Sequence, residues 1–259
     1  MVHEVRGKIS IKSVKCIVKR FNKYVCWKTH YWMSDKQLTS NLLNRKLLGG
    51  DSEIIRIPSN FELLKSPAVK LEDEDSNFFI GLFSPKKYAL LFLIKYSERI
   101  LSLDKRIVII IIGDNYDHIK QMITDEKLSS LSERIILTGR LNAKQIFQKF
   151  TFLDLFLSLD GQNGKSSWSG TSSKSGTLST ALYHGIPTIG IEGELTDMLF
   201  KHEVNIFLVK EEGEILGAIK LLIRDVSLRQ LISSKSRQLY DENFSWSQSL
   251  SVYKHILSS

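Results

Sequence analysis

Six apolar runs, each the length of one strand, follow one another from Asn77 onward: NFFIGLF, RIVIIIIGD, RIILTGRL, LDLFLSL, IPTIGIEG and NIFLVKE. The second, IVIIIIG at 107–113, is apolar at every position before its glycine. A strand wet on one face alternates; a run without alternation is covered on both faces. Helical patterns separate the runs. Pro85 opens KKYALLFLIKYSERILSL, HIKQMITDEKLSSLS comes next, and Asn142 caps AKQIFQKF. TLSTALYH then stops at Gly185, with Pro187 beyond it, and EGEILGAIKLLIRD and SLRQLISSKSRQLYDENF follow the last run. A final helix, SWSQSLSVYKHILSS, begins behind Ser245. Such repetition predicts an α/β fold: a Rossmann-like, doubly wound parallel sheet of about six strands with helices on both faces.

Size and composition narrow the class. The 259 residues, 42% apolar and 25% charged, suit an ordinary soluble globular protein. No apolar run approaches the ~18–20 residues of a membrane span. The opening MVHEVRGKIS lacks the apolar stretch of a signal peptide, so a cytoplasmic location is expected. Cys16 and Cys26 have no metal-ligand spacing and read as reduced thiols. Charge is concentrated. Residues 1–50 carry a net +9, against −1 for the remainder.

Within that basic segment, Ile11, Val14, Val18, Phe21 and Val25 recur at 3-4-3-4 spacing, with Lys8, Lys12, Lys15, Lys19 and Lys23 opposite. The pattern predicts a basic amphipathic helix. Its charged side is either a solvated face or, over residues 8–23, a peripheral contact with the anionic inner membrane face. No aromatic-lined basic stripe continues it, which excludes nucleic acid as the expected partner. YVCWKT reads as a short strand, Ser34-Asp35 as the cap of a helix over DKQLTSNLLN, and SEIIRIP as a strand. SNFELLKSPAVKLEDEDS reads as a linker with an acidic tail.

The chemistry is expected between Leu153 and Gly190. There a strand runs into sixteen residues made almost wholly of Gly, Ser, Thr, Lys, Gln and Asn, and these feed a helix. A polar loop at the carboxyl end of a parallel strand, entering a helix N-terminus, is where open α/β sheets bind phosphorylated ligands. Gly164-Lys165-Ser166 imitates the tail of a P-loop, but position 159 is Leu and WSGTSSKSG follows where a helix is required. No Ser-His-Asp or Cys-His arrangement occurs in a strand-turn-helix setting, and His184, before Gly185, fits a helix cap better than catalysis. The remaining candidate is the turn Ser173-Lys174-Ser175-Gly176-Thr177. Its backbone amides and hydroxyls suit an anion, Lys174 adds a cation, and Lys86 or Lys87 at the turn after the first strand adds another.

The order GLFSPKKYALL, VIIIIGD, RIILTGRL, FLDLFLSL, SGTLSTALYHGIPTIG and a terminal FSW resembles the C-terminal, donor-binding half of GT-B glycosyltransferases over residues 54–259. That group builds polysaccharides and glycoconjugates from nucleotide-diphosphate sugars. The resemblance implies four segments. Residues 1–57 are the end of an acceptor domain, 58–76 a linker, 77–245 the donor-binding domain and 246–259 the C-terminal helix. It implies that Lys87, Lys174, Ser175, Gly176 and Thr177 bind the donor diphosphate, that Thr138, Gly139 and Arg140 lie beneath the nucleobase, and that the substrate is a UDP- or GDP-sugar with no metal. It leaves the catalytic residues unassigned.

Four departures qualify what the resemblance implies. Tyr88 stands where the family's P-x-K-G turn usually has glycine. Ser172 and Thr180 stand where many members carry two glutamates. Lys174-Ser175-Gly176-Thr177-Leu178 matches an R-x-G-[ST]-L variant with Lys for Arg, which keeps charge but loses the bidentate fork. Most of the acceptor half is missing from the match. The expectation is glycosyl transfer with a partner subunit supplying that half. The alternatives are an inactive or truncated nucleotide-binding relic or scaffold subunit, and another doubly wound enzyme such as a sugar-nucleotide epimerase.

Overall fold

The computed structural model describes residues 37–39, 52–54, 56–61, 76–113, 133–159, 170–193 and 196–258. The expectations for 8–25, 24–29, 118–132 and 164–166 lie outside them. The central sheet contains β3 (Phe78–Phe83), β4 (Ile107–Ile112), β5 (Ile135–Leu137), β6 (Leu155–Ser158), β7 (Thr188–Ile191) and β8 (Phe207–Val209). Around it pack α1 (Lys87–Leu103), α2 (Ala143–Thr151), α3 (Gly176–Tyr183), α4 (Glu214–Arg224), α5 (Val226–Asn243) and α6 (Trp246–Ser258).

All strand pairs of this sheet are parallel, in the order β5-β4-β3-β6-β7-β8. The chain builds outward from β3 through β4 to β5, then returns to the other side of β3 with β6. The order reverses between β3 and β6, and open α/β sheets bind ligands outside the carboxyl ends of the strands at that point.

β4 shows why the run IVIIII needs two covered faces. Ile107, Ile109 and Ile111 enter one core with residues of α1, α4 and α5. Val108, Ile110 and Ile112 enter another with Ile146 and Phe150 of α2 and Ala181 of α3. All six are buried. Each is worth on the order of 2 kcal/mol of hydrophobic stabilisation. α3 is apolar on several sides for a related reason. Ala181 faces the sheet, while Leu178, Leu182 and Tyr183 pack with Leu239 and Tyr240 of α5. Gly185 ends α3 with φ +62, the left-handed conformation that glycine adopts without penalty.

A short parallel pair, β1 (Gln37–Thr39) with β2 (Ser52–Ile54), lies outside the central sheet. It corrects the helix expected over 35–44, because Gln37, Leu38 and Thr39 are extended. Ten residues make a marginal helix, and backbone pairing with 52–54 outweighs the weak local preference. RIILTGRL is also shorter than expected as a strand, reduced to Ile135–Leu137 at the sheet edge.

Candidate functional site

α3 begins where the chain must satisfy its first amides without a preceding turn. Ser175 is the N-cap, and its Oγ accepts from Leu178 N at 3.3 Å. The first bond closing the helix runs from Ser179 N to Ser175 O, at 3.0 Å. Gly176 and Thr177 thus carry amides that the helix itself cannot use. They stand at the positive end of the helix dipole. Ser175 Oγ and Thr177 Oγ1 are 3.0 Å apart, and residues 174–177 are half-buried, which leaves the turn open to a ligand.

The turn is fastened to the sheet from below. Thr171 N donates to Ile191 O and Ile191 N donates to Thr171 Oγ1, each at 2.7 Å, which ties the approach to α3 to the end of β7. Ser172 is buried, and its hydroxyl accepts from Lys174 N at 3.3 Å. Thr180 is buried too. Its Oγ1 donates to Gly176 O at 2.8 Å and meets Ser59 Oγ at 3.0 Å. With that proton committed to Gly176 O, Ser59 is the donor to Thr180. The positions where many GT-B enzymes carry glutamates are therefore occupied by hydroxyls turned inward on the fold.

Ser59 belongs to a strap, residues 56–61, that crosses α3, α5 and α6. Ile57 N donates to Ser173 O at 3.1 Å, one residue before Lys174. Ser59 N donates to Tyr240 Oη at 3.2 Å, and Trp246 Nε1 donates to Ser59 O at 3.0 Å. Arg56 grips Asp197 with two nitrogens, at 3.0 and 3.1 Å, and its carbonyl accepts from Ser249 Oγ. Ser59 is 0% exposed. The stretch that reads as the start of a linker is thus built into the site. The sequence signal was slight: a serine after proline, between IIRIP and NFELL.

The other expected residues stand at neighbouring strand ends. Lys87 is the first residue of α1, at the carboxyl end of β3. Ser84, the residue after β3, has φ 44 and donates its amide to Ile112 O at 2.7 Å, which locks the β3 and β4 turns together. Thr138, Gly139 and Arg140 follow β5. Thr138 N donates to Ile111 O at 3.1 Å, Gly139 has φ +64, and Arg140 is exposed. β5 lies two strand spacings from β3, about 10 Å. The α1 start and the α3 turn therefore flank the point of strand reversal, and the β5 turn lies at the sheet edge.

Two residues have roles that the sequence did not reveal. Tyr88, in place of the usual glycine, donates its hydroxyl to Glu212 Oε2 at 2.7 Å, while Lys95 Nζ donates to Oε1 at 2.8 Å. Burial favours the neutral form of Glu212, but the hydrogen bonds from Lys95 and Tyr88 prevail and lower its pKa. Burial, and then Glu212 itself, raise that of Tyr88. This fastens the segment after β8 to α1. No local pattern joins residues 124 apart.

His184 departs from expectation in a different way. Its backbone makes the cap, with N–H to Thr180 O at 3.1 Å, but the ring does not. Both ring nitrogens are buried without a partner among the described residues, against Phe147, Phe150 and Tyr183. Burial, with Arg237 nearby, pushes its pKa down to about 3. It is a neutral packing residue at the far end of α3. Among the described residues no group of three or more His, Cys, Asp or Glu side chains could hold a metal, and no helix is long and apolar enough to cross a membrane.

No protein-family model matches the sequence, and no curated protein matches it significantly. Solved structures do. A glycosyltransferase from Rickettsia africae superposes with a TM-score of 0.66 at 15% identity, over 93% of this chain and 68% of that one. HepE from Anabaena, solved with UDP-glucose, gives 0.63 at 18% identity over 92% and 68%. The C-terminal domain of LpcC, a group 1 glycosyl transferase from Francisella tularensis, gives 0.53 at 18% identity over 66% and 88%. The likeness is one of fold: the six-stranded sheet is the Rossmann-like half of a GT-B structure.

Proposed function

We infer that this chain binds a nucleotide-diphosphate sugar and serves glycosyl transfer. The observation that carries the reading is the first turn of α3. Two amides unused by the helix, the hydroxyls of Ser175 and Thr177 and the adjacent Lys174 lie at the carboxyl side of the sheet, beside its point of strand reversal. HepE, which shares the fold, was solved with UDP-glucose. In this reading Thr138, Gly139 and Arg140 receive the nucleobase, and Lys87 and Lys174 flank the diphosphate. The bond from the sugar's anomeric carbon to the diphosphate oxygen breaks, its electron pair leaving with the diphosphate. The acceptor oxygen forms the new bond and releases its proton. Charge gathering on the diphosphate is met by the helix terminus and the lysines. The finer role, in polysaccharide or glycoconjugate synthesis with a partner subunit for the acceptor, is part of the same proposal.

A second reading, a nucleotide-binding scaffold without transfer, is favoured by Ser172 and Thr180. Neither offers a carboxylate, and both are buried. Titration calorimetry with UDP, GDP and their sugars, followed by an assay for sugar release or transfer, separates the two. Binding with transfer or hydrolysis supports the enzyme; binding without either supports the scaffold. No binding to any of them by the folded chain contradicts both. Loss of binding in Lys174→Ala with retention in Lys165→Ala locates the diphosphate at the α3 turn and away from the P-loop look-alike.

A further inference from the structure

The strap does more than close the fold, because it carries a side chain to the mouth of the site. Ser59 is anchored on α3 through Thr180, and Phe61 packs on Phe83, the last residue of β3, with ring centroids 5.5 Å apart. Asn60 lies between these anchors, so the chain holds it between the α3 turn and the β3 end, where the strand order reverses. It is exposed. Among the described residues outside the helix's own turn, Asn60 Nδ2 is the one atom that a Cβ built on Gly176 would approach, at 4.0 Å. The strand beside β3 also ends in a buried polar group. Ser158, the last residue of β6, is 4% exposed and its hydroxyl has no partner among the described residues. Strand alternation sets it on the sheet face of Phe156, which shares a core with Ala181 of α3. A buried hydroxyl without a partner costs free energy unless another polar group meets it.

We propose that Asn60 is a ligand-binding residue, its carboxamide donating to the distal phosphate of a nucleoside diphosphate seated on the Gly176 and Thr177 amides. The proposal rests on the donor-site reading and adds to it a contact from outside the central sheet domain. The strap's buried anchors fix the backbone on both sides of Asn60, so little conformational freedom is lost when the side chain engages. The amide supplies a neutral donor beside Lys174, and a carboxylate at position 60 would face the phosphate with like charge.

The test titrates the full chain with UDP and GDP, then with UMP and GMP, for wild type, Asn60→Ala and Asn60→Asp. Asn60→Ala is expected to weaken binding of the diphosphate that the wild type prefers by about tenfold. Asn60→Asp weakens it further, and affinity for the monophosphate stays within about twofold, because the distal phosphate is absent. Both variants melt with the wild type, since the substituted side chain is exposed. Wild-type diphosphate affinity in both variants overturns the role of Asn60 and leaves the donor site standing. Equal losses for di- and monophosphate also overturn it, as general damage to the site. A wild-type chain that binds none of the four nucleotides overturns the donor-site reading and this contact together.

Discussion

Ser175 and Lys174 are the residues at which the proposed chemistry is most exposed to test. Removing the cap in Ser175→Ala leaves Leu178 N without its acceptor and should cost about 1 kcal/mol of stability, read from the denaturant midpoint. Lys174→Ala should weaken diphosphate binding about tenfold or more, the scale of a lost charged hydrogen bond, with Lys174→Arg recovering most of it. His184 gives a pH signature. Its folded pKa of about 3 lies below the ordinary 6.5, so between those values the unfolded chain binds a proton that the folded chain refuses. Its contribution is complete above pH 6.5 and declines as pH falls toward 3. The loss between pH 7 and pH 5 is about 2 kcal/mol. His184→Leu should flatten that slope in chemical denaturation measured at the two pH values. An unchanged slope would show that the ring is solvated.

At the scale of elements, the strap and α3 act as one unit. Ser59 links Thr180, Tyr240 and Trp246, and its Oγ also accepts from Phe61 N. Ser59→Ala and Thr180→Val should each destabilise by about 1–3 kcal/mol, because each leaves buried polar atoms unpaired. The double variant should cost clearly less than the two together, since one hydrogen bond is shared. Strict additivity in a double-mutant cycle would show that the two hydroxyls do not interact. The elements also show what a sequence can convey. The β4 run and the Asn142 cap were legible, because burial pattern and capping chemistry are local: Asn142 Oδ1 accepts from Gln145 N, and Gln145 Oε1 accepts in return from Asn142 N, each at 3.0 Å. The extended state of Gln37–Thr39 was not, since it depends on pairing with residues 52–54. The strap was hidden for the same reason. Ser59 takes its meaning from Thr180, 121 positions away.

Across the whole molecule, six apolar runs in sequence became six parallel strands whose order reverses between β3 and β6. In the proposed reading that reversal sets a crevice shared by the first turn of α3, the start of α1 and the strap. The resemblance that pointed to residues 174–177 pointed to a helix N-terminus on the side of the strands' carboxyl ends. It gave no hint that Ser172 and Thr180 would be turned inward, or that Tyr88 would hold Glu212, because family patterns name positions and leave out what an altered residue will touch. Hydrogen exchange of the full chain with and without saturating UDP or GDP reads the crevice most directly. Slowed exchange at the Gly176 and Thr177 amides, lost in Lys174→Ala, is the predicted result. A bound nucleotide that leaves these amides unchanged and protects residues 164–166 would contradict it.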